Sequence, residues 1–117
     1  MTEKTEVFIV KKTFLGWEDH GIFTFNLELE GDRCSTTVGN YVLEGPEVSS
    51  FLQSILTITS RDQWERIPGS YVRVYSKGLL SVGFGHVMKD LWFSVDKDEG
   101  KAYAVPFAEF LERLERE

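Results

Sequence analysis

The chain has 117 residues, a length that suits one domain and is short for two. Its 19 acidic and 13 basic residues give a net charge of −6, which opposes general binding to DNA, RNA or an anionic membrane, because phosphates are met by excess Lys and Arg. With 42% hydrophobic residues and 16 aromatic rings (nine Phe, four Tyr, three Trp), the chain has the apolar mass for a real core, so disorder over most of its length is excluded.

The first six residues are polar and mixed in charge. They read as a flexible lead-in, unlike a secretory signal. Residues 7–15 (VFIVKKTFL) are β-branched and aromatic and predict a strand. A glycine-bounded connection follows, from Gly16 to Gly21. Residues 22–30 then alternate strictly: Phe23, Phe25, Leu27 and Leu29 on one side, Thr24, Asn26, Glu28 and Glu30 on the other. A period of two with one wet face is an amphipathic strand. Gly31-Asp32-Arg33 predicts a hairpin turn, and residues 34–43 a third strand in which Gly39 marks a bulge or a close backbone approach.

Gly45-Pro46 predicts the start of a helix over 46–58, with proline in the first helical position. Val48, Phe51, Leu52, Ile55 and Leu56 form its apolar stripe. Ser60-Arg61-Asp62-Gln63 has the form of a capping box opening a short second helix with Trp64. Strands are predicted at 70–76, 79–88 and 90–95, with a short edge strand at 101–105. Pro106 opens a final helix whose Phe107, Phe110, Leu111 and Leu114 share one face. Glu109 with Arg113, and Glu112 with Arg116, are i,i+4 pairs on its wet face. This helix docks on the sheet or sits at an oligomer interface. The expected fold is one α+β domain: a twisted, mainly antiparallel sheet of five to seven strands with one packed central helix and a C-terminal helix.

No span approaches the roughly 20 apolar residues of a transmembrane helix, and the default expectation is the cytoplasm of a bacterium or of an infected host cell. The single cysteine, Cys34, reads as a small strand residue, and no Cys/His grouping has zinc-ligand spacing. No metal or cofactor is expected. Asp19 beside His20 offers a carboxylate–imidazole pair in a loop, and His86 lies on an alternating strand beside Gly83 and Gly85. The glycines leave room for a ligand or another backbone. Asp19, His20 and His86 together would make a small hydrolase or lyase if they shared a cleft. Trp17, Phe84 and Trp92 are candidates for stacking a base, Arg33 and Arg73 for pairing phosphate, and His20 and His86 for further ligand contacts.

Three segments carry a resemblance: Thr13–Phe25 (TFLGWEDHGIFTF), Gln63–Val74 (QWERIPGSYVRV) and Gly83–Phe93 (GFGHVMKDLWF). In order and spacing they resemble a group of small proteins from phages and prophages, over most of residues 7–93. The third strand departs from that group, which is more glycine-rich there. The resemblance implies an accessory role in a phage or prophage setting. Small phage proteins often counter host defence, and one class sequesters nucleotide-derived immune signals, as the Thoeris and cyclic-oligonucleotide antagonists do. This chain is similar to those in size and β-rich build. The expectation is a non-enzymatic, homo-oligomeric sponge for a nucleotide-like molecule. The alternative is an inhibitor or adaptor that blocks a host enzyme through an acidic surface.

Overall fold

The computed structural model describes residues 3–115. In chain order it has β1 (Glu3–Trp17), β2 (Phe23–Glu30), β3 (Ser35–Val42), α1 (Val48–Thr59), a single 3-10 turn (Trp64–Arg66), β4 (Tyr71–Lys77), β5 (Leu80–His86), β6 (Trp92–Asp96), β7 (Lys101–Val105) and α2 (Phe107–Glu115). All seven strands form one antiparallel sheet in the order β3-β2-β1-β4-β5-β6-β7. This is the α+β architecture the sequence predicts.

β1 organises the sheet. Its first half, Glu3–Ile9, pairs with β4, and its second half, Ile9–Trp17, pairs with β2. The register slips between Val10 and Lys12, so Lys11 is a bulge where the strand bends. Residues 3–6, expected as a flexible lead-in, pair with Val74–Lys77; residues 1 and 2 lie outside the described residues. The bend curls the sheet until β3 returns beside β5. β3 and β5 both run in the direction of β1, because each is two antiparallel steps away from it. Around the curl the order is β1-β2-β3-β5-β4, with α1 between the third and fourth strands. That is the connectivity of a partly open, OB-type barrel, to which β6, β7 and α2 are additions.

Two cores follow from the strand alternation. Phe25, Leu27 and Leu29 are fully buried while Glu28 and Glu30 are exposed. They join Val72, Val74 and Phe84 on the inner face, where Phe51, Ile55 and Ile58 of α1 close the core. On the outer face Tyr75, Trp92, Val105 and Phe110 form a second cluster, with Phe107, Leu111 and Leu114 packed against it. The C-terminal helix is therefore docked on its own sheet. Its Glu109–Arg113 pair is present at 2.9 Å, and Arg116 lies outside the described residues.

Several boundaries differ from expectation for physical reasons. α1 starts at Val48, after Glu47 as N-cap, so Pro46 precedes the helix in the turn opened by Gly45 (φ 90°). Ser60 does not open a capping box; it adopts the left-handed conformation (φ 57°) that ends α1, while Arg61 N–H donates to Leu56 O at 3.0 Å. β5 stops at His86, two residues short of the expected end, so Met88 is carried into an exposed turn. The expected bulge in β3 is present: Gly39 has φ 112°, and a Cβ there would lie 2.8 Å from Phe25 O.

Candidate functional site

The β1–β2 hairpin separates the residues expected to bind together. Trp17 pairs with Phe23 at one end, and Ile9 with Glu30 at the other. Trp17 is 71% exposed, its ring tilted on Phe23 at 5.1 Å. His20 stands in the loop beyond it, and Arg33 is exposed in the β2–β3 turn at the opposite end. Arg73 and Trp92 are brought together with the His86 backbone carbonyl, while the His86 side chain shares the inner face of β5 with Phe84.

None of these four offers a free contact surface. Arg73 donates from Nε to His86 O at 2.7 Å and from Nη2 to Lys89 O at 2.8 Å, and it stacks over the Trp92 ring at 5.0 Å. Trp92 and Phe84 are buried, at 1% and 2% exposure, so neither has a ring face for a stacked base. The space beside the glycines is filled from within the chain. A Cβ on Gly83 would strike the Phe110 ring, and one on Gly85 would strike Trp92 and Leu91 O. The close approach that Gly83 and Gly85 permit is that of the chain's own rings.

His86 is a staple. Its Nδ1 accepts from Met88 N–H at 3.0 Å and Lys89 N–H at 2.9 Å, so the ring proton is on Nε2, which donates to Ser60 Oγ at 2.7 Å. Burial, then the Lys89 and Arg73 charges, hold its pKa below the ordinary histidine value. A nucleophilic Ser–His pair needs the reverse tautomer, with the Nε2 lone pair free to take the serine proton. Ser60 and His86 are thus oriented for structure and not for acyl transfer.

The loop carboxylate that matters is Glu18, not Asp19. Its Oε1 accepts from His20 N–H at 2.6 Å and from Ile22 N–H at 3.3 Å, and its Oε2 lies 3.1 Å from His20 Nδ1. The His20 hydrogen bond leads in lowering the Glu18 pKa. His86 pairs across to Val72, and Val72 to Phe8, so the length of β1 from Phe8 to Trp17 separates it from the His20 loop. The shared cleft that a hydrolase of Asp19, His20 and His86 requires is not formed. Among the described residues no three His, Cys, Asp or Glu side chains cluster to hold a metal ion. Cys34 is exposed just before β3. No helix among the described residues is long and apolar enough to cross a membrane.

The concavity with binding character is the seam where β3 faces β5. No backbone ladder joins these strands among the described residues; Thr36 Oγ and Ser81 Oγ bridge them at 2.9 Å. Beside this bridge lies a cavity of about 200 Å³. Thr37, Val38, Gly39 and Tyr41 form one wall, Ser81, Val82, Gly83 and Phe84 the other, and Phe93 reaches in from β6. Phe84 and Phe93 stack at 4.9 Å and 18°, and Tyr41 sits 5.7 Å from Phe93. No charged side chain lines it. A larger groove of about 310 Å³ lies on β2–β3, lined by Lys11, Glu28 and Glu30 together with Leu29, Ser35, Thr36 and Thr37. Its carboxylates outnumber its one cation.

Sequence reasoning did not single out Phe93, Ser81 or Val82, because their role comes from a long-range approach of two strands. Gly39, Gly83 and Phe84 were the local signals near the seam. The chain matches no protein-family model, no curated protein and no solved structure.

Proposed function

We propose that this chain is a non-enzymatic binder, a phage or prophage accessory protein that sequesters a nucleotide-derived immune signalling molecule. The observation that supports this reading is the β3–β5 seam: an uncharged cavity with aromatic rings at its floor and hydroxyl groups at its rim. Tyr41, half-buried, is the one ring of the lining with exposed surface, and a seam between two sheet edges offers main-chain donors and acceptors. The Ser60–His86 pair, with its ring proton on Nε2, is not set for acyl transfer.

The test is native mass spectrometry of the protein purified from a host with an active nucleotide-signalling defence, repeated after denaturation. The expected result is a released nucleotide-like mass together with a subunit count above one. A clean apo monomer counts against sequestration and turns attention to the second reading, an inhibitor of a host enzyme. That reading draws on the acidic outer face of β2, where Glu28 and Glu30 are exposed, and predicts co-purification of a host protein.

A further inference from the structure

We infer that the β5–β6 turn is an acid-sensitive latch on the C-terminal helix: one proton taken up by the His86 ring opens residues 87–91, and the opening passes through Asp90 to the start of α2. The latch needs no cargo and is independent of the sequestration reading.

The join between β5 and β6 is slight. Their ladder is the single pair Gly85 with Trp92, so other bonds must hold the turn between them. Two are backbone bonds, His86 N–H to Leu91 O at 2.8 Å and Leu91 N–H to Lys89 O at 2.9 Å. The rest come from two side chains. His86 Nδ1 takes the amides of Met88 and Lys89, and Arg73 takes the carbonyls of His86 and Lys89. Met88, Lys89 and Asp90 are exposed, so little packing adds to these anchors. From the turn Asp90 Oδ1 reaches Phe107 N–H, at the first residue of α2. With nine residues α2 is too short to persist alone, and it depends on docking and on that cap.

An imidazolium cannot serve this turn. Both ring nitrogens then carry hydrogen, and Nδ1–H faces two N–H groups at 3.0 and 2.9 Å. Three donors converge there with no acceptor among them. The other side of the ring has no such conflict. Nε2–H donates to Ser60 Oγ in either state, and Ser60 is the C-cap of α1, whose carbonyl end favours a positive ring. The ring therefore stays with α1 and the turn gives way. The charges that bear on the closed ring are Lys89 of the turn and Arg73 of β4, which together with burial oppose the proton. Arg61, next to Ser60, is directed to Ser70 Oγ, and Asp90 is directed to Phe107. Opening carries Lys89 away from the ring and so favours the charged form.

Trp92 lies under the latch. It is buried, with the Arg73 guanidinium over its ring, and Arg73 is held in part by the Lys89 carbonyl. Its buried Nε1 has no hydrogen-bond partner among the described residues, so exchange of that indole proton reports directly on the cover.

The experiment is hydrogen exchange of the full chain followed by NMR between pH 7.5 and 5, corrected for intrinsic exchange rates, in about 0 to 1 M urea. Protection of the Met88, Lys89 and Phe107 amides and of the Trp92 indole is expected to fall at least about fivefold over this range, with about tenfold per pH unit as the limit for one proton. Little dependence on urea is expected at these sites, the mark of local opening, while β2 amides such as Leu27 keep the steep dependence of global unfolding. His86→Asn, which cannot be charged, is expected to flatten the pH response, and His20→Gln, which removes the other imidazole, to leave it in place. Asp90→Ala is expected to keep the response at Met88 and Lys89 and lose it at Phe107. In the wild type alone, a His86 ring that titrates while the Met88 and Lys89 amides keep their protection overturns the latch. So does an equal response in His86→Asn, or a urea dependence as steep as that of Leu27. A response at Met88 and Lys89 with Phe107 unmoved overturns the link to α2.

Discussion

His86→Ala is the substitution with the clearest structural arithmetic. It removes the acceptor for Met88 N–H and Lys89 N–H and the donor to Ser60 Oγ. The two amides lie near the surface, where water takes up part of the loss. The net cost is then about 2–3 kcal/mol, below the sum for fully buried groups. For a domain of this size that lowers Tm by about 8–12 °C. His86→Asn keeps a side-chain acceptor near the Nδ1 position and is expected to recover about half. The wild type adds a pH signature. The bonded ring is neutral and burial holds its folded-state pKa below the ordinary histidine value of about 6.5, so the unfolded chain binds the proton more tightly. The contribution is present above pH 6.5 and is lost as pH falls through the folded-state value. Its slope is bounded by one proton, about 1.4 kcal/mol per pH unit. Thermal and urea unfolding followed by circular dichroism, from pH 7.5 to 5, measures both. If His86→Ala melts within about 1 °C of wild type, or if wild type and His86→Asn lose stability in parallel on acidification, the staple assignment is wrong.

Gly83→Ala places a methyl group against the Phe110 ring and is expected to cost about 1–3 kcal/mol, with faster amide exchange throughout α2 as the readout. Thr36→Val and Ser81→Ala, combined in a double-mutant cycle, are expected to show about 0.5–1.5 kcal/mol of coupling. Independent effects would mean that the two hydroxyls do not bridge the seam. Asp90→Ala removes the acceptor that Asp90 Oδ1 gives Phe107 N–H at 2.8 Å, and about 0.5–2 kcal/mol of stability is expected to go with it. Urea midpoints against wild type measure it, and an unchanged midpoint would rule out this cap.

Local patterns in the sequence carried much of the fold. The alternation from Phe23 to Glu30 and the stripe Phe51–Ile55 each name a buried face, because one neighbour on one side is enough to produce the pattern. The site was less legible, and particular residues show why. Ser60 satisfies a capping pattern on paper, yet the same residue in the left-handed conformation ends the helix before it. Gly83 and Gly85 signal that something comes close, but a glycine is silent on whether the visitor is a ligand or a ring such as Phe110 or Trp92. Arg73 reads as an available charge until its two carbonyl acceptors, some 13 and 16 positions away, are in view. The seam is a long-range approach of β3 to β5, and the register slip at Lys11 in the strand that links their two halves of the sheet has no marker in the local sequence.

The sheet's two terminal strands have a further consequence. An outer strand with bare amides and carbonyls is a template for another chain. Here the β7 border is shielded by α1, which packs along it and supplies Ser50 Oγ to Ala102 N–H at 2.9 Å. The β3 border is turned inward towards β5. Neither border lies open for strand-to-strand stacking between copies, which favours dispersal in a crowded solution. A protein that works by stoichiometric capture has a capacity equal to its copy number. Tolerance of accumulation is therefore as much a part of such a function as affinity.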